Sequence, residues 1–290
     1  MSSAKYFNHQ TGKFIDLEQD GCTLDEWQHP NGSEAFARHP LGYKIFLPAE
    51  KIKTNDEYAD VDPYSVEEHI DHPFHKRRMD LTIQLVREAV GMVKGIPQIL
   101  DLGCGEGHIT EKIRQEIPAA EYTGLDYSIS AIAYAHSHFP QIDFSVGDAY
   151  QSPYSDSFFD VIVCNNLWEH VSDPLFLLSK IEKMLKPGGS LIISTPSRYR
   201  LGNLVRVLRG KPVVFLSKYH VTEYSVGQVI EQLTYGGFLV KRVLSRPIPQ
   251  VSLKAKVGGG LLAMFIALVG SHHQLESTVF YLAEKRASST

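Results

Sequence analysis

Apolar and polar positions follow a repeating order of short buried runs and amphipathic stretches through the middle of the chain. Met79, Ile83, Val86, Val90 and Val93 recur every three or four residues, which indicates the apolar face of a helix over 71–93. Apolar runs rich in β-branched residues then alternate with further helical stretches. The pattern predicts strands at 98–102, 121–126, 143–147, 158–165, 190–194, 238–244 and 277–283, with helices at 108–116, 128–138, 173–185 and 225–235. This order is typical of an α/β fold in which helices cover both faces of a mostly parallel sheet.

Three segments lie outside this repeat. Residues 1 to about 62 have no clear period and are expected to be irregular, although their scattered aromatic residues suggest that they pack on something. An arginine-rich insertion follows the strand at 190–194, and an apolar insertion precedes the last strand. We therefore predict an N-terminal extension or cap over 1–75 and one α/β domain over 76–290, with cap insertions at 197–224 and 246–275.

Composition and charge narrow the class of partner. The chain has 290 residues, 43% of them hydrophobic, and a formal net charge of −4. That charge argues against a nucleic-acid ligand held by phosphate neutralisation. The three cysteines, Cys22, Cys104 and Cys164, show neither disulfide nor zinc spacing, which favours small buried residues in a reducing compartment. The N-terminus has no signal-peptide pattern, so a cytoplasmic location is expected.

The apolar stretch 258–270 is too short to cross a bilayer as a helix. A buried or domain-packing helix is the first interpretation. The alternatives are the wall of an apolar substrate pocket or a patch that dips into a membrane surface.

The segment 99–108, ILDLGCGEGH, carries the strongest functional signal. An apolar run ends at Asp101, and glycines follow at 103, 105 and 107. Glycine accepts positive φ and exposes bare backbone to a ligand, while a carboxylate beside it suits a cationic small molecule. The dinucleotide fingerprint G-x-G-x-x-G would need glycine at 108, where this chain has histidine.

Acidic side chains also end the next two predicted strands. Asp126 follows the second strand, where it could accept hydrogen bonds from both ribose hydroxyls. Asp148 follows the third strand and could receive an adenine amino group. Each aspartate alone could be only a turn former or helix cap, but three of them at successive strand ends predict a nucleoside-containing ligand.

On these residues the chain resembles the class I S-adenosylmethionine-dependent methyltransferases, whose first motif is D-x-G-x-G-x-G. The segments 168–174 (WEHVSDP) and 185–196 (LKPGGSLIISTP) are similar to the ubiquinone-type O-methyltransferases. The resemblance implies a Rossmann-like seven-stranded sheet with an antiparallel last strand. It also implies S-adenosylmethionine as cofactor, bound by Asp101, Gly103, Gly105, Gly107, Asp126, Tyr127, Asp148, Ala149 and Asn165. In that arrangement Tyr127 stacks near the adenine, Ala149 with Asp148 contacts its edge, and the Asn165 backbone lies by the methionine portion.

Two histidines are candidates for the catalytic role. Transfer of a methyl group to a hydroxyl requires a proton acceptor, and histidine suits that task near neutral pH. His170 lies just past the fourth predicted strand, and His220 precedes a helix in a segment placed to close over the site. Either could instead be structural. His75, Arg77 or Arg78 could meet the methionine carboxylate, and no metal site is expected.

The sequence therefore predicts methyl transfer from S-adenosylmethionine to a small or lipid-like, hydrophobic acceptor, at oxygen before carbon or nitrogen. A methyltransferase-like binding protein without catalysis is one alternative. A nicotinamide-dependent oxidoreductase is another, although the displaced glycine disfavours it. Nothing in the pattern fixes the acceptor or the oligomeric state.

Overall fold

A ten-stranded sheet forms the centre of the protein. The structure, a computed structural model, describes residues 5–27, 34–52, 73–245, 260–261, 264 and 277–286. The strands of the sheet are β3 Gly21–Thr23, β4 Phe36–Arg38, β5 Lys44–Ile45, β6 Gln98–Leu102, β7 Glu121–Asp126, β8 Asp143–Val146, β9 Phe159–Asn165, β10 Leu185–Pro196, β11 Phe238–Leu244 and β12 Thr278–Lys285. A separate hairpin pairs β1 Phe7–Asn8 with β2 Lys13–Phe14.

The strand order is β11-β12-β10-β9-β6-β7-β8-β5-β4-β3. Strands β6 to β10 run parallel to one another, whereas β12 is antiparallel to both of its neighbours. The predicted Rossmann-like α/β fold with an antiparallel last strand is therefore confirmed. The chain crosses back beside β6 to form β9, and this reversal of strand order creates a crevice at the carboxyl ends of the strands.

Helices cover both faces of the sheet. They are α1 Leu24–Trp27, α2 Pro73–Val90, α3 His108–Glu116, α4 Ile129–His138, α5 Pro174–Met184, α6 Leu201–Leu208 and α7 Val226–Tyr235. Local sequence explains where several of them begin. Ser128 caps α4, Asp173 caps α5 with Pro174 at the first turn, and Ser225 forms a capping box with Gln228.

The N-terminal segment is more regular than its sequence predicts. Strand β5 pairs in parallel with β8, and β4 and β3 continue the sheet beyond it. These three strands turn the predicted seven-stranded sheet into one of ten. They are two or three residues long, too short to show an alternating pattern in the sequence.

Asp143 ties this segment to the sheet. Its carboxylate lies 2.6 Å from the Nζ atoms of both Lys5 and Lys44 and accepts a 2.7 Å hydrogen bond from the Tyr6 hydroxyl. Burial alone would raise the pKa of Asp143, but the two ammonium groups outweigh it and hold the pKa well below its usual range. The ionised carboxylate therefore joins β8 to two separate positions of the extension.

The two predicted caps differ in how far they are described. Residues 197–224 contain α6, and a β-bridge between Ser197 and Tyr224 joins the two ends of the segment. Of the predicted cap at 246–275, only 260–261 and 264 are described; they are helical, with Leu261 and Met264 exposed, and the rest of the apolar stretch 258–270 lies outside the described residues. Within the described part of the chain, no helix is long and apolar enough to cross a bilayer.

We expect Asp143→Asn to lower the free energy of unfolding at pH 7 by about 1–2 kcal/mol, because both lysines lose their counter-charge in a partly solvated site. Urea unfolding of the full chain measures this. Because folding lowers the pKa of Asp143, its contribution is complete above the unfolded-state value of about 4 and is lost as the pH falls below it.

Glu116→Gln is the matched control, since Glu116 pairs with Arg87 where both side chains are exposed. Its effect should stay below about 0.5 kcal/mol. Equal stabilities for Asp143→Asn and the unaltered chain would show that the ion pairs do not anchor the extension.

Candidate active site

The glycine turn between β6 and α3 forms the floor of the candidate site. Gly103, Gly105 and Gly107 have φ of +78°, +53° and +76°, as the spacing of the glycines predicts. A side chain at 107 would also place its Cβ 2.6 Å from the Phe144 ring. Gly107 is the N-cap of α3, so the helix begins directly at the turn and its N-terminal amides face the same edge.

Asp101 is a buried carboxylate with one unused oxygen. Its Oδ2 accepts a 2.6 Å hydrogen bond from Thr110, whereas Oδ1 has no hydrogen-bond partner among the described residues. Burial, with a contribution from the nearby charge of Asp126, raises the pKa of Asp101 to about 6. Asp101 Oδ1 is therefore a buried acceptor near the end of β6 that could bind a cationic group.

Asp126 connects the end of β7 to the glycine turn. Its Oδ2 accepts a 2.8 Å hydrogen bond from the Gly105 amide, and its Oδ1 accepts one of 2.9 Å from the Ser128 amide. The side chain remains partly exposed. Asp126 thus fixes the turn at the position where a carboxylate could also accept hydrogen bonds from ribose hydroxyls.

Residues after β7 and β8 occupy the next part of the edge. The Tyr127 ring is 40% exposed, and its hydroxyl donates to the Lys51 carbonyl. Asp148 accepts a 2.9 Å hydrogen bond from the Tyr150 amide and lies 3.3 Å from Lys51 Nζ. Ala149 begins the 3₁₀ turn that Asp148 caps. Asp148 thus has a capping role in addition to any contact with a ligand, and Lys51 joins the edge from the N-terminal extension.

Asn165 is buried at the end of β9 and resembles Asp101 in being half satisfied. Its Oδ1 accepts hydrogen bonds from Thr82 at 3.2 Å and Ser194 at 3.0 Å. Its Nδ2 has no hydrogen-bond partner among the described residues. The neighbouring strands β9 and β6 therefore carry one buried donor, Asn165 Nδ2, and one buried acceptor, Asp101 Oδ1.

The sequence offers His75, Arg77 and Arg78 as partners for the methionine carboxylate. Of these, Arg78 on α2 is the one whose charge acts on the site carboxylates. Arg78 is 7% exposed. Burial raises the pKa values of Asp101 and Glu169, and the positive charge of Arg78 offsets part of that rise. Arg77 is half-buried on the same helix, and nothing is described for the side chain of His75.

His170 and His220 come together although fifty residues separate them in the sequence. Their ring centroids lie 5.0 Å apart in an edge-to-face arrangement. The backbone brings them together, because the amides of Val221 and Thr222 both donate to the Glu169 carbonyl. Leu167, in the same loop, lies 3.1 Å from where a Gly103 Cβ would be, which connects this loop to the glycine turn. Partial burial and the neighbouring His220 lower the pKa of His170.

Glu223 holds His220 and much of the first cap in place. This fully buried carboxylate lies 2.9 Å from His220 Nδ1, accepts a 2.5 Å hydrogen bond from the Leu216 amide and pairs with Arg200. Burial works to raise the pKa of Glu223, but these hydrogen bonds outweigh it and lower the pKa. The ionised Glu223 therefore orients the imidazole of His220.

Several site residues lack a clear sequence signal. Glu169 and Glu223 each stand beside a predicted histidine, yet only the fold shows that both are buried. Thr82 and Lys51 come from elements with no motif of their own, and Thr195 lies in the segment 185–196, whose pattern does not single it out. Cys22, Cys104 and Cys164 are free thiols.

Comparison with known proteins shows what this chain is similar to. Residues 96–232 match the family model described as a methyltransferase domain. A probable S-adenosylmethionine-dependent methyltransferase of Mycolicibacterium smegmatis is 28% identical over 57% of this chain and 61% of its own length. A ubiquinone biosynthesis O-methyltransferase of Pseudomonas aeruginosa is 28% identical over 47% of this chain and 59% of its own length. The chain thus spans about three fifths of these curated relatives.

Solved structures show the same fold at low identity. A chain from the complex of the Haloferax volcanii Trm112 methyltransferase activator with a methyltransferase has a TM-score of 0.55 and 19% identity, covering 81% of this chain and 100% of that one. The [4+2]-cyclase SpnF has a TM-score of 0.51 and 22% identity, covering 72% and 82%.

The fold, the glycine turn and the strand-end carboxylates are similar to those of class I methyltransferase domains. Residues 96–232 match a methyltransferase domain, and the relatives of this chain include S-adenosylmethionine-dependent methyltransferases. The unused atoms fit that cofactor: Asp101 Oδ1 can accept from its ammonium group, and Asn165 Nδ2 can donate to its carboxylate.

The affinity for S-adenosylmethionine should depend on pH through Asp101. The cofactor is cationic at its sulfonium, so it binds better to the carboxylate than to the neutral acid. We expect the association constant to rise up to tenfold for each unit of pH from about 5 to 6 and to level off above about 7. Isothermal titration calorimetry across this range measures it. Asp101→Asn should bind more weakly with a flatter profile, and an unchanged profile in that variant would exclude Asp101 as the titrating group.

Proposed function

We propose that the protein transfers a methyl group from S-adenosylmethionine to a hydroxyl of a small or lipid-like, mainly apolar acceptor. The proposal rests on three features near the carboxyl ends of the strands. They are the glycine turn, the half-satisfied buried side chains of Asp101 and Asn165, and the pair formed by His170 and His220. The first two features suit the cofactor, and the third suits activation of an acceptor. A cytoplasmic location and the absence of a nucleic-acid partner belong to the same proposal.

In the proposed binding mode, the methionine portion lies over Gly103, Gly105 and Gly107, with its ammonium group on Asp101 and its carboxylate toward Asn165. Asp126 accepts the ribose hydroxyls. Tyr127 stacks near the adenine, whose edge contacts Asp148 and Ala149. Bound S-adenosylmethionine supplies an activated methyl group on a sulfonium, a good leaving group. The protein then needs to align the acceptor, exclude water and remove one proton.

We assign the acceptor side to the first cap. His170 and His220 are the proposed catalytic residues, meeting the acceptor hydroxyl and drawing off its proton. The cap also exposes apolar side chains near His220, including Phe215, Leu216 and Tyr219. Such a surface favours an acceptor with a large apolar portion. Oxygen is the favoured atom because the relatives include proteins named as ubiquinone biosynthesis and malonyl-[acyl-carrier protein] O-methyltransferases.

A binding protein without methyl transfer is the second candidate. SpnF, a [4+2]-cyclase, has the same fold, so the fold does not by itself fix the reaction. Formation of S-adenosylhomocysteine separates the two functions. The third candidate, a nicotinamide oxidoreductase, would require NAD to compete with S-adenosylmethionine.

Asp126→Ala should weaken S-adenosylmethionine binding by at least a hundredfold, because the ribose loses its acceptor and the Gly105 amide loses its partner. Calorimetry measures the binding, with circular dichroism to confirm folding. Glu116→Gln, remote from the site, should bind like the unaltered chain. Normal affinity in Asp126→Ala, or tighter binding of NAD than of S-adenosylmethionine, would contradict the proposed site.

Replacing His170 or His220 by alanine should lower kcat by about 10²–10⁴-fold while changing the cofactor affinity less than twofold. The assay follows S-adenosylhomocysteine with deuterated-methyl cofactor and a panel of alkyl-substituted phenols and long-chain alcohols. His138→Ala is the matched control, since His138 is exposed and stacks on Tyr134. Full turnover in both site variants would remove the histidines from the mechanism. Cofactor binding without turnover of any panel member would contradict methyl transfer to a hydroxyl.

A further inference from the structure

Glu169, His170 and His220 form a cluster with the composition of a metal site. Each places one ligand atom, a carboxylate oxygen or a ring nitrogen, within 4.8 Å of the others. A first-row metal with bonds of about 2.1 Å holds its ligand atoms roughly 3–3.5 Å apart. His170 is exposed, so its side chain has room to move toward the other two ligand atoms. Two imidazoles and one carboxylate are a donor set that binds zinc, iron(II) and similar divalent ions.

Glu169 provides an independent indication of a ligand. It is fully buried, and its Oε2 accepts a 3.0 Å hydrogen bond from Thr195. Its Oε1 has no hydrogen-bond partner among the described residues. A buried carboxylate oxygen without a partner costs stability, and a bound cation would satisfy it. Thr195 meanwhile fixes the other oxygen and thereby the direction of the carboxylate.

His220 is oriented as metal-binding histidines are. Its Nδ1 lies 2.9 Å from a Glu223 oxygen, and a carboxylate partner requires the proton on Nδ1. The Nε2 atom then carries the lone pair. Metal-ligating histidines commonly donate their other ring nitrogen to a carboxylate in this way, which fixes the tautomer and the ring. Glu223 is itself held by Arg200 and the Leu216 amide, so the orientation is built into the cap.

We propose that Glu169, His170 and His220 bind one divalent first-row transition-metal ion, leaving an open coordination position for the acceptor. The sequence predicts no metal site, because two of the ligands lie fifty residues from the third. Three protein ligands with an open position are typical of a catalytic rather than a structural ion. The use of the open position rests on the proposed function. There the two histidines would hold the ion instead of taking the proton themselves. The ion would polarise the acceptor hydroxyl, whose proton would pass to solvent as the new O–CH₃ bond forms and the S–CH₃ bond breaks.

Zinc chloride is the first probe, titrated into tag-free, chelator-treated full-length protein with a competing zinc dye. One zinc ion per chain is expected. His170→Ala should weaken binding at least tenfold, and this exposed position should leave folding intact. His138→Ala should bind zinc like the unaltered chain. Equal zinc affinity in the unaltered chain and His170→Ala, or no zinc binding, would overturn the proposal.

Two further measurements separate a ligand role from a structural one. Cobalt(II) should give visible absorption bands that are lost in His220→Ala, which a purely packing histidine would not cause. Glu223→Gln should bind zinc about 10–100-fold more weakly if it orients the ligand, and unchanged binding would contradict that role. Calorimetry with S-adenosylmethionine on the metal-free chain keeps the two proposals apart. Cofactor binding without zinc binding overturns only the metal site, whereas zinc binding without cofactor binding overturns only the proposed function.

Discussion

The candidate site depends on a buried carboxylate that the folded chain leaves half satisfied. Asp101 lies at the end of a central strand, where the sheet gives it little access to water and Thr110 satisfies one of its oxygens. Keeping such a group ionised is unfavourable, as its raised pKa shows. The cost is offset when a cation binds beside it. The glycine turn then gives that cation an approach along bare backbone, and Asp126 holds the turn in position.

Local chemistry made the geometry of the glycine turn and the strand-end positions of the aspartates predictable. The glycine spacing and the strand-end aspartates are short-range patterns, and the positive φ at all three glycines follows from them. The alternation of strands and helices likewise predicted the parallel sheet. The N-terminal strands could not be predicted in this way, because Lys44–Ile45 becomes a strand by pairing with β8 on one side and with β4 on the other. Asp148 shows a further limit, since the same carboxylate suits a ligand and a helix cap.

The acceptor half depends on long-range contacts. His170 and His220 were separate candidates in the sequence, and their proximity results from two backbone hydrogen bonds to the Glu169 carbonyl. The buried carboxylate of Glu223 fixes the orientation of His220, because it is bonded to His220, to Arg200 and to the backbone of the cap. The cap and the histidine pair are thus one structural unit. A change in the cap that suits a different acceptor would also have to preserve this charge network.

A crystal structure with S-adenosylhomocysteine tests the central claim most directly. The account predicts the amino group of the ligand within hydrogen-bond distance of Asp101 Oδ1, its ribose hydroxyls on Asp126, and its sulfur facing the His170–His220 pair. A ligand bound elsewhere, or one in this cleft whose amino group leaves Asp101 Oδ1 without a partner, would contradict it.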